Sequence, residues 1–188
     1  PLFKRLVSNT KQKHSGQLPD GQLSKVDIDE IRKARNGSFL QTRGVSTCTA
    51  VTVLYPEHFA YLAHISPFDK IYGHVNLTNQ LKDLIGRIKY HDIYLRELSK
   101  LKFIVIANHL NSFDIVIDKL IRHGIRLSQI TFAYNPDSQY SNVTSTGDGK
   151  ETFIEWVMDD GPSKSFIEKA DTIETLSETV MHVSGYTE

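Results

Sequence analysis

The sequence predicts an α/β domain in which a central, sandwich-like mixed β-sheet is flanked by helices. Three observations predict this fold class. Short apolar runs rich in β-branched residues are separated by turn residues, as in strands. Two other segments repeat their apolar residues at helical spacing. Finally, a strand, a helix and a further strand follow one another over residues 102–134, which is typical of α/β architecture.

The length and composition indicate one globular unit. A chain of 188 residues is the size of one domain with a short extension. Its hydrophobic residues make up 39% of the chain, which is enough for a packed core. We predict a flexible N-terminal linker over residues 1–22 and a single catalytic domain over residues 23–188. Because the chain opens with Pro1 and no apolar signal segment follows, we expect a fragment excised from a longer protein.

The charge balance and the short apolar runs exclude several function classes. Lys and Arg together number 22, as do Asp and Glu, so the formal net charge is zero and no nucleic-acid partner is expected. The longest apolar runs, such as residues 103–107, are far shorter than the roughly 20 residues of a membrane helix, so we expect no membrane span. Cys48 is the single cysteine, which excludes an internal disulfide and a Cys-rich zinc site. The scattered histidines lack metal-ligand spacing, and we predict no metal and no cofactor.

The first predicted element of the globular unit is a short amphipathic helix over residues 25–34. Ser24 is well placed as its N-cap, and Asn36-Gly37 is a typical stop signal. We expect little order before this helix, because residues 1–22 contain few large apolar side chains.

A β-hairpin is predicted next. Three apolar, β-branched runs follow the first helix, at residues 38–40, 48–55 and 59–65. The break Pro56-Glu57-His58 between the last two runs indicates two strands joined by a tight turn. Residues 48–65 are therefore predicted to pair as a hairpin.

The middle of the chain is predicted to contain two helices with a strand between them and another strand after them. Helical spacing over about residues 77–90 is carried by Leu77, Leu81, Leu84, Ile85 and Ile88. Residues 102–107 are typical of a strand, and Ser112 opens a helix that ends at His123-Gly124. Residues 129–134 are predicted to form the strand that follows.

The last third of the chain is predicted to be mostly loop and strand. The segment Asn135–Gly149 is rich in turn residues and is predicted to be a mobile loop. Residues 152–158 alternate polar and apolar side chains and are predicted to form a strand. One helix is expected within residues 163–180.

Cys48 is the candidate functional residue. A loop of small residues runs directly into an apolar strand at this position, so its backbone amides can converge on the thiol, as an oxyanion site requires. Sixteen residues later, His64 ends the return strand of the predicted hairpin, which places it near Cys48 across adjacent strands. A cysteine and a histidine within hydrogen-bond reach form an activated nucleophile. The alternative is a structural thiol, because free cysteine is among the most buried residue types.

The neighbourhood of Cys48 resembles two families of glutamine deamidases. Residues Thr42 to Thr49, followed by an apolar strand and Ala63-His64-Ile65, resemble the chemoreceptor deamidase CheD, in which a Thr precedes the nucleophilic Cys by the same offset. The stretch Val45-Ser46-Thr47-Cys48-Thr49 is similar to the Val-Ser-Gly-Cys-Thr type motif of the cytotoxic necrotizing factors. The order of later strands and helices extends the resemblance over about residues 37–160.

The resemblance implies a role for each matching residue. It makes Cys48 the nucleophile, His64 the general base, and Thr42 the hydroxyl that orients the imidazole ring. Oxyanion stabilisation would come from the loop before the nucleophile, at Val45, Ser46 and Thr47. Two departures are visible. Thr47 stands where the family has Gly, and residues 108–111 replace a Gly-rich turn, so the surroundings of the substrate differ.

By this resemblance, the chain is expected to be a protein-glutamine deamidase that acts through a thioester and needs no cofactor. Its partner would be a folded protein that carries the target glutamine, and the chain itself is expected to be a monomer. It would be cytoplasmic, or translocated into a host cell as a bacterial toxin or effector. Candidate rims of the substrate cleft are His58, the loop 66–74 and the loop 135–149.

Two alternatives remain open at the level of the sequence. The same Cys-His pair would serve a transglutaminase or a thiol protease, because a thioester also reacts with primary amines. A catalytically inactive binding or adaptor domain is the other alternative, and it is favoured by Thr47 in place of Gly. A reactive Cys48 thiol would distinguish the enzymes from the inactive binding domain.

Overall fold

The computed structural model describes residues 22–67, 75–92, 95–108, 113–158 and 164–170. The strands in these ranges are β1 Gln22–Lys25, β2 Ile31–Ala34, β3 Ser38–Val45, β4 Thr49–Tyr55, β5 Phe59–Ile65, β6 Lys102–Ala107, β7 Ile130–Tyr134, β8 Ser138–Thr146, β9 Thr152–Met158 and β10 Ser165–Lys169. The α-helices are α1 Val75–Arg87 and α2 Phe113–Arg122. Short helical turns lie at Ile88–Asp92, Leu95–Lys100 and Leu127–Gln129.

The strands form two mixed five-stranded sheets. Sheet A has the order β1-β3-β8-β9-β10, and sheet B has the order β2-β5-β4-β6-β7. Each sheet has one parallel pair, β1 with β3 in sheet A and β6 with β7 in sheet B, while the other pairs are antiparallel. The predicted class, an α/β fold with a sandwich-like mixed sheet, is confirmed, with two sheets in place of one central sheet.

Two hydrophobic cores arrange the molecule in three layers. One core fills the space between the sheets, where Leu40 of β3 and Ile154 of β9 pack in the same cluster as Leu62 of β5. The other core joins the opposite face of sheet B to the helices and includes Val51 of β4 and Leu84 of α1. Sheet B is thus buried on both faces, which explains the continuous apolar runs of its central strands.

Several predicted elements are confirmed. The hairpin is β4 and β5, paired from Thr49 with Ile65 to Tyr55 with Phe59. The first of the two later helices is α1, and the strand–helix–strand succession is β6, α2 and β7. The strand predicted over residues 152–158 is β9, and the run at 38–40 is the beginning of β3. Residues 1–21 of the predicted linker lie outside the described residues.

The predicted helix over residues 25–34 is wrong. Its two ends belong to β1 and β2, which pair with β3 and β5 respectively. Between them the chain turns, with the Glu30 N–H donating to the Asp27 carbonyl at 3.0 Å and Asp29 at a φ of 64°. A ten-residue helix is marginal by itself, so strand pairing in both sheets overrides a weak helical pattern.

The predicted mobile loop at residues 135–149 is also wrong. Most of it is β8, a central strand of sheet A between β3 and β9. Of the helix expected within residues 163–180, residues 165–169 instead form β10 at the edge of sheet A, and the part after residue 170 lies outside the described residues. In β10 the buried Glu168 accepts a hydrogen bond from Trp156 Nε1 of β9 at 2.9 Å, a cross-strand contact that the local sequence does not reveal.

Candidate functional site

The site lies at one end of the sandwich, between the two sheets. Thr42 is near the end of β3 in sheet A, while His64 is near the end of β5 in sheet B. Cys48 directly precedes β4, the neighbour of β5. Thr42 and His64 are both buried, at 1% and 0% exposure, and Cys48 belongs to the core between the sheets. The three residues predicted from the sequence are thus brought to the same end of the fold.

The strand register places Cys48 and His64 on the same face. His64 pairs directly with Ala50 in the β4–β5 ladder. Cys48 lies two residues before Ala50, and both belong to the inter-sheet core, so Cys48 and His64 are diagonal cross-strand neighbours. Such neighbours have Cα atoms about 7–8 Å apart, within reach of each other's side chains.

A hydrogen bond between the sheets fixes the tautomer of His64. The Thr42 hydroxyl lies 2.6 Å from the Val26 carbonyl oxygen and 2.7 Å from His64 Nδ1. A carbonyl oxygen only accepts, so the single hydroxyl proton of Thr42 is donated to Val26. Thr42 Oγ1 therefore accepts from Nδ1–H of His64. In the neutral ring, Nε2 consequently carries a lone pair and no proton.

Nε2 of His64 is a buried base without a hydrogen-bond partner among the residues that the structure describes. Burial lowers the pKa of His64 below its usual 6.5, although the negative charges of Asp29 and Asp27 oppose this shift. The ring is therefore neutral near pH 7, which is the state required of a general base.

The thiol of Cys48 is protonated at rest. Burial raises its pKa above the usual 9.0, and the charge of Asp29 raises it further, whereas a hydrogen bond with the Thr47 side chain lowers it. The arrangement therefore supplies a neutral thiol beside a neutral imidazole. A thiol in this state would have to lose its proton to a base before it could act as a nucleophile.

Asp29 is a charged neighbour of this pair that sequence reasoning missed. Its carboxylate accepts from the Ser66 backbone N–H at 3.0 Å, the Ser66 hydroxyl at 2.8 Å and Asn76 Nδ2 at 3.0 Å. Its own N–H donates to the carbonyl of His64 at 2.6 Å. Burial alone would raise the pKa of Asp29, but these hydrogen bonds and the nearby His64 hold it below 3.8. The sequence carries no signal for this role, because Asp29 falls within the helix that is predicted over residues 25–34.

The predicted oxyanion residues form the crossing from sheet A to sheet B. Val45 ends β3 and is fully buried, Ser46 is half-buried and Thr47 is exposed. The β3–β8 pairing is irregular just before Val45, where Gly44 has a φ of 70° and its N–H donates to Asn142 Oδ1 at 3.0 Å. A bulge of this kind redirects a strand. Here it leads the chain to Cys48, and the oxyanion role of these residues stays a prediction.

The predicted rim of the cleft requires correction. His58 lies in the β4–β5 turn, stacked on Tyr55 with ring centroids 4.0 Å apart. This turn follows the last residue of β4, whereas Cys48 precedes the first. The seven residues of β4 therefore separate His58 from Cys48 by roughly 20 Å, at about 3.3 Å per residue. The proposed loop 135–149 is mostly strand, as described above. Of the loop 66–74, residues 68–74 lie outside the described residues.

A polar cavity of about 410 Å³ adjoins the site at Asp29. It lies between the start of β2 and α1, and its lining includes Ile31, Asn76 and Arg87. Within the described ranges, no three His, Cys, Asp or Glu residues are grouped so that they could hold a metal ion. Neither described α-helix is long and apolar enough to span a membrane.

Comparisons with known proteins assign no function to this site. No protein-family model and no curated protein sequence matches the chain. Among solved structures, the crystal structure of the Bacillus licheniformis hypothetical protein YfiH is similar with a TM-score of 0.38 and 15% identity, over 55% of this chain and 49% of YfiH. The match thus spans about half of either chain, and a similarity at this level carries no argument about function.

Proposed function

We propose that this chain is a cysteine-dependent protein-glutamine deamidase. The observation that carries the proposal is the buried His64 ring, whose Nδ1–H is held by Thr42 and whose Nε2 is left as an unpartnered base. This base lies on the same sheet face as Cys48. The resemblance of the Thr42–Thr49 motif to glutamine deamidases selects the carboxamide as the group attacked.

In the first step, Cys48 Sγ attacks the side-chain carbonyl carbon of a glutamine. A carbon–sulfur bond forms, the thiol proton passes to His64 Nε2, and the carbonyl oxygen becomes an oxyanion. The imidazolium that forms keeps its Nδ1–H bond to Thr42 and lies near the negative charges of Asp29 and Asp27. The backbone N–H groups around Thr47 would face the oxyanion.

In the next steps, the tetrahedral intermediate collapses and its carbon–nitrogen bond breaks. The leaving nitrogen takes the proton from His64 Nε2 and departs as ammonia, which leaves a thioester on Cys48. A water molecule then gives a proton to Nε2 and attacks the thioester carbon. The sulfur leaves and recovers that proton, so glutamine and water yield glutamate and ammonia.

The partner in this proposal is a protein that presents a glutamine side chain, and delivery as a toxin or effector belongs to the same proposal. If a primary amine replaces water in the last step, the same thioester gives a transglutaminase, and a peptide bond in place of the side-chain amide gives a thiol protease. A binding domain would have a thiol whose reactivity does not depend on His64. These alternatives are outcomes of the experiments that follow.

The first experiment measures the rate of Cys48 alkylation by iodoacetamide against pH. With His64 as base, the rate reaches a plateau once His64 loses its proton, below pH 6.5, and rises again above pH 9 as the thiol itself ionises. His64→Ala should abolish the plateau and keep only the upper rise. His123→Ala, at the end of α2, is the matched control and should keep both phases.

The second experiment identifies the reaction. A cell lysate is incubated with the chain, and glutamines that gain about one dalton by conversion to glutamate are sought by mass spectrometry, with Cys48→Ala as the control. Conversion that requires Cys48 supports the deamidase. Cross-linked lysines or cleaved chains would instead support the transglutaminase or the protease. Alkylation that ignores His64, together with an unchanged lysate, would overturn the proposal.

A further inference from the structure

Asn108 lies beside Cys48 on the side opposite His64. In the antiparallel β4–β6 ladder the last pair is Thr49 with Ala107, so Cys48 and Asn108 follow next on their two strands. Ile106, two residues before Asn108, belongs to the core between the sheets, as Cys48 does. Asn108 is the residue after β6, and its side chain is hydrogen-bonded to Ser138 of β8 in sheet A, so it too lies between the two sheets. Cys48 therefore has His64 on one neighbouring strand and Asn108 on the other.

The side-chain amide of Asn108 is held in one orientation. Its Nδ2 donates to the backbone carbonyls of Asn135 at 3.3 Å and Ser138 at 3.2 Å, and it is also hydrogen-bonded to the Ser138 hydroxyl. Carbonyl oxygens accept only, so the end of the amide that faces them is the nitrogen. The Ser138 hydroxyl in turn donates to the Asn135 carbonyl at 3.2 Å. This network leaves the amide oxygen at the opposite end.

That oxygen, Oδ1 of Asn108, is a buried acceptor without a hydrogen-bond partner among the described residues. Asn108 as a whole is 1% exposed. Buried acceptors are nearly always paired, and an unpaired one costs free energy, so this atom calls for an explanation such as a role in the chemistry of the site. The chemistry of the missing partner follows from the atom, because a neutral amide oxygen accepts from N–H or O–H and repels a carboxylate oxygen.

We propose that Asn108 Oδ1 accepts a hydrogen bond from the carboxamide NH₂ of the substrate glutamine and makes the site selective for a carboxamide over a carboxylate. This inference rests on the proposed deamidase function. The substrate amide would be read by Asn108 while its carbon is attacked by Cys48. The product glutamate has no N–H to offer and places a charged oxygen against Oδ1, so it would be bound less well than the substrate.

The test compares two alkylating agents that differ in this group. Iodoacetamide carries a carboxamide and iodoacetate carries a carboxylate, and both react with Cys48. The ratio of their rate constants, divided by the same ratio for free cysteine, measures the selectivity of the site. Asn108→Leu should lower this ratio by about tenfold, as expected for one lost hydrogen bond.

Gln129→Leu is the matched control. Gln129 is also a buried amide whose nitrogen donates to two backbone carbonyls, those of Leu98 and Leu101, at 2.8 and 3.0 Å. Gln129 directly precedes β7, whereas Asn108 directly follows β6. Because β6 and β7 are parallel, Gln129 lies at the end of sheet B that is away from Asn108 and Cys48. Its loss should leave the selectivity ratio at the wild-type value.

The outcomes separate this inference from the proposed function. Fast alkylation that depends on His64, with the same selectivity ratio in wild type and in Asn108→Leu, would overturn the role of Asn108 and keep the deamidase. Alkylation indifferent to His64 would overturn the proposed function itself. If Asn108→Leu does not fold, Asn108→Ala gives the same comparison. The crystal structure of the wild-type chain alkylated with iodoacetamide is decisive without any variant, because the attached carboxamide nitrogen should lie within about 3.2 Å of Asn108 Oδ1.

Discussion

Thr42 acts on the proposed chemistry through a single proton, the hydroxyl hydrogen that it donates to the Val26 carbonyl. Thr42→Val keeps the shape of the side chain but removes the acceptor of His64 Nδ1–H and the donor to Val26. The ring is then free to place its proton on Nε2, so the alkylation rate at pH 7 should fall at least about tenfold. Thr42→Ser retains the hydroxyl and should restore most of the rate. A Thr42→Val rate equal to wild type would contradict this role.

His64 also makes the free energy of unfolding depend on pH. Its pKa is lowered in the folded chain, so below pH 6.5 the unfolded chain binds more protons than the folded one. The associated stability is present above pH 6.5 and is lost as the pH falls through the lowered pKa. Urea unfolding between pH 7.5 and 4.5 should show this loss in wild type and a smaller loss in His64→Gln. Parallel curves would contradict it. Asp29, with a pKa below 3.8, loses its own contribution only at lower pH.

At the scale of elements, the turn between β8 and β9 packs against the backbone of the β4–β5 hairpin, where the Glu57 N–H donates to the Asp148 carbonyl at 2.8 Å. Gly149 has a φ of 72°, and a Cβ there would lie 2.1 Å from the Tyr55 carbonyl oxygen and 2.4 Å from that of Phe59. Gly149→Ala should therefore lower the free energy of unfolding by about 2–4 kcal/mol, measured by urea denaturation. It should leave Cys48 alkylation in the folded chain unchanged, because this turn is at the end of β4 away from Cys48.

Gly86→Ala in α1 is the control for that prediction. Apart from its chain neighbours and the backbone of its own helix, no described residue has an atom within 4 Å of a Cβ built at Gly86, which lies in α1. The substitution should raise the free energy of unfolding by about 0.5–1 kcal/mol, since alanine loses less backbone entropy in a helix than glycine. If both glycine variants changed stability in the same direction, contacts at Gly149 would not be the cause.

The elements that the sequence predicted correctly are those with apolar side chains on the inner faces of their strands or helices. The sequence does not predict β8, because three of its buried positions are serines, Ser138, Ser141 and Ser145. The hydroxyl of Thr52 donates to the Tyr61 carbonyl at 3.0 Å, so Ser145 donates to Thr52 at 2.6 Å and accepts from Thr152 at 2.8 Å. This chain of hydroxyl groups connects the two sheets. A buried serine in such a chain has no apolar signature, so periodicity predicts a loop.

At the scale of the whole molecule, the site is assembled from both sheets. The spacing of Thr42, Cys48 and His64 resembles a known motif, so the sequence points to these three residues. It does not point to Asp29 or Asn108, because each is brought to the site by the pairing of strands that are distant in sequence. No local pattern predicts that the residue after β6 lies beside Cys48. The packing of sheet A on sheet B, which sets the Thr42–His64 contact, is likewise a property of the complete fold.

This dependence on the packing between the sheets can be tested with two leucines that are both fully buried. Leu40 of β3 lies in the core between the sheets, two residues before Thr42, and Leu84 of α1 lies in the core between sheet B and the helices. Leu40→Ala and Leu84→Ala should each lower the free energy of unfolding by about 2–5 kcal/mol. Only Leu40→Ala should also slow Cys48 alkylation at pH 7 under conditions where circular dichroism shows both variants folded, because only its cavity lets β3 shift against β5 and lengthen the 2.7 Å contact of Thr42 with His64. Equal alkylation rates in the two folded variants would mean that the Thr42–His64 contact does not control the thiol.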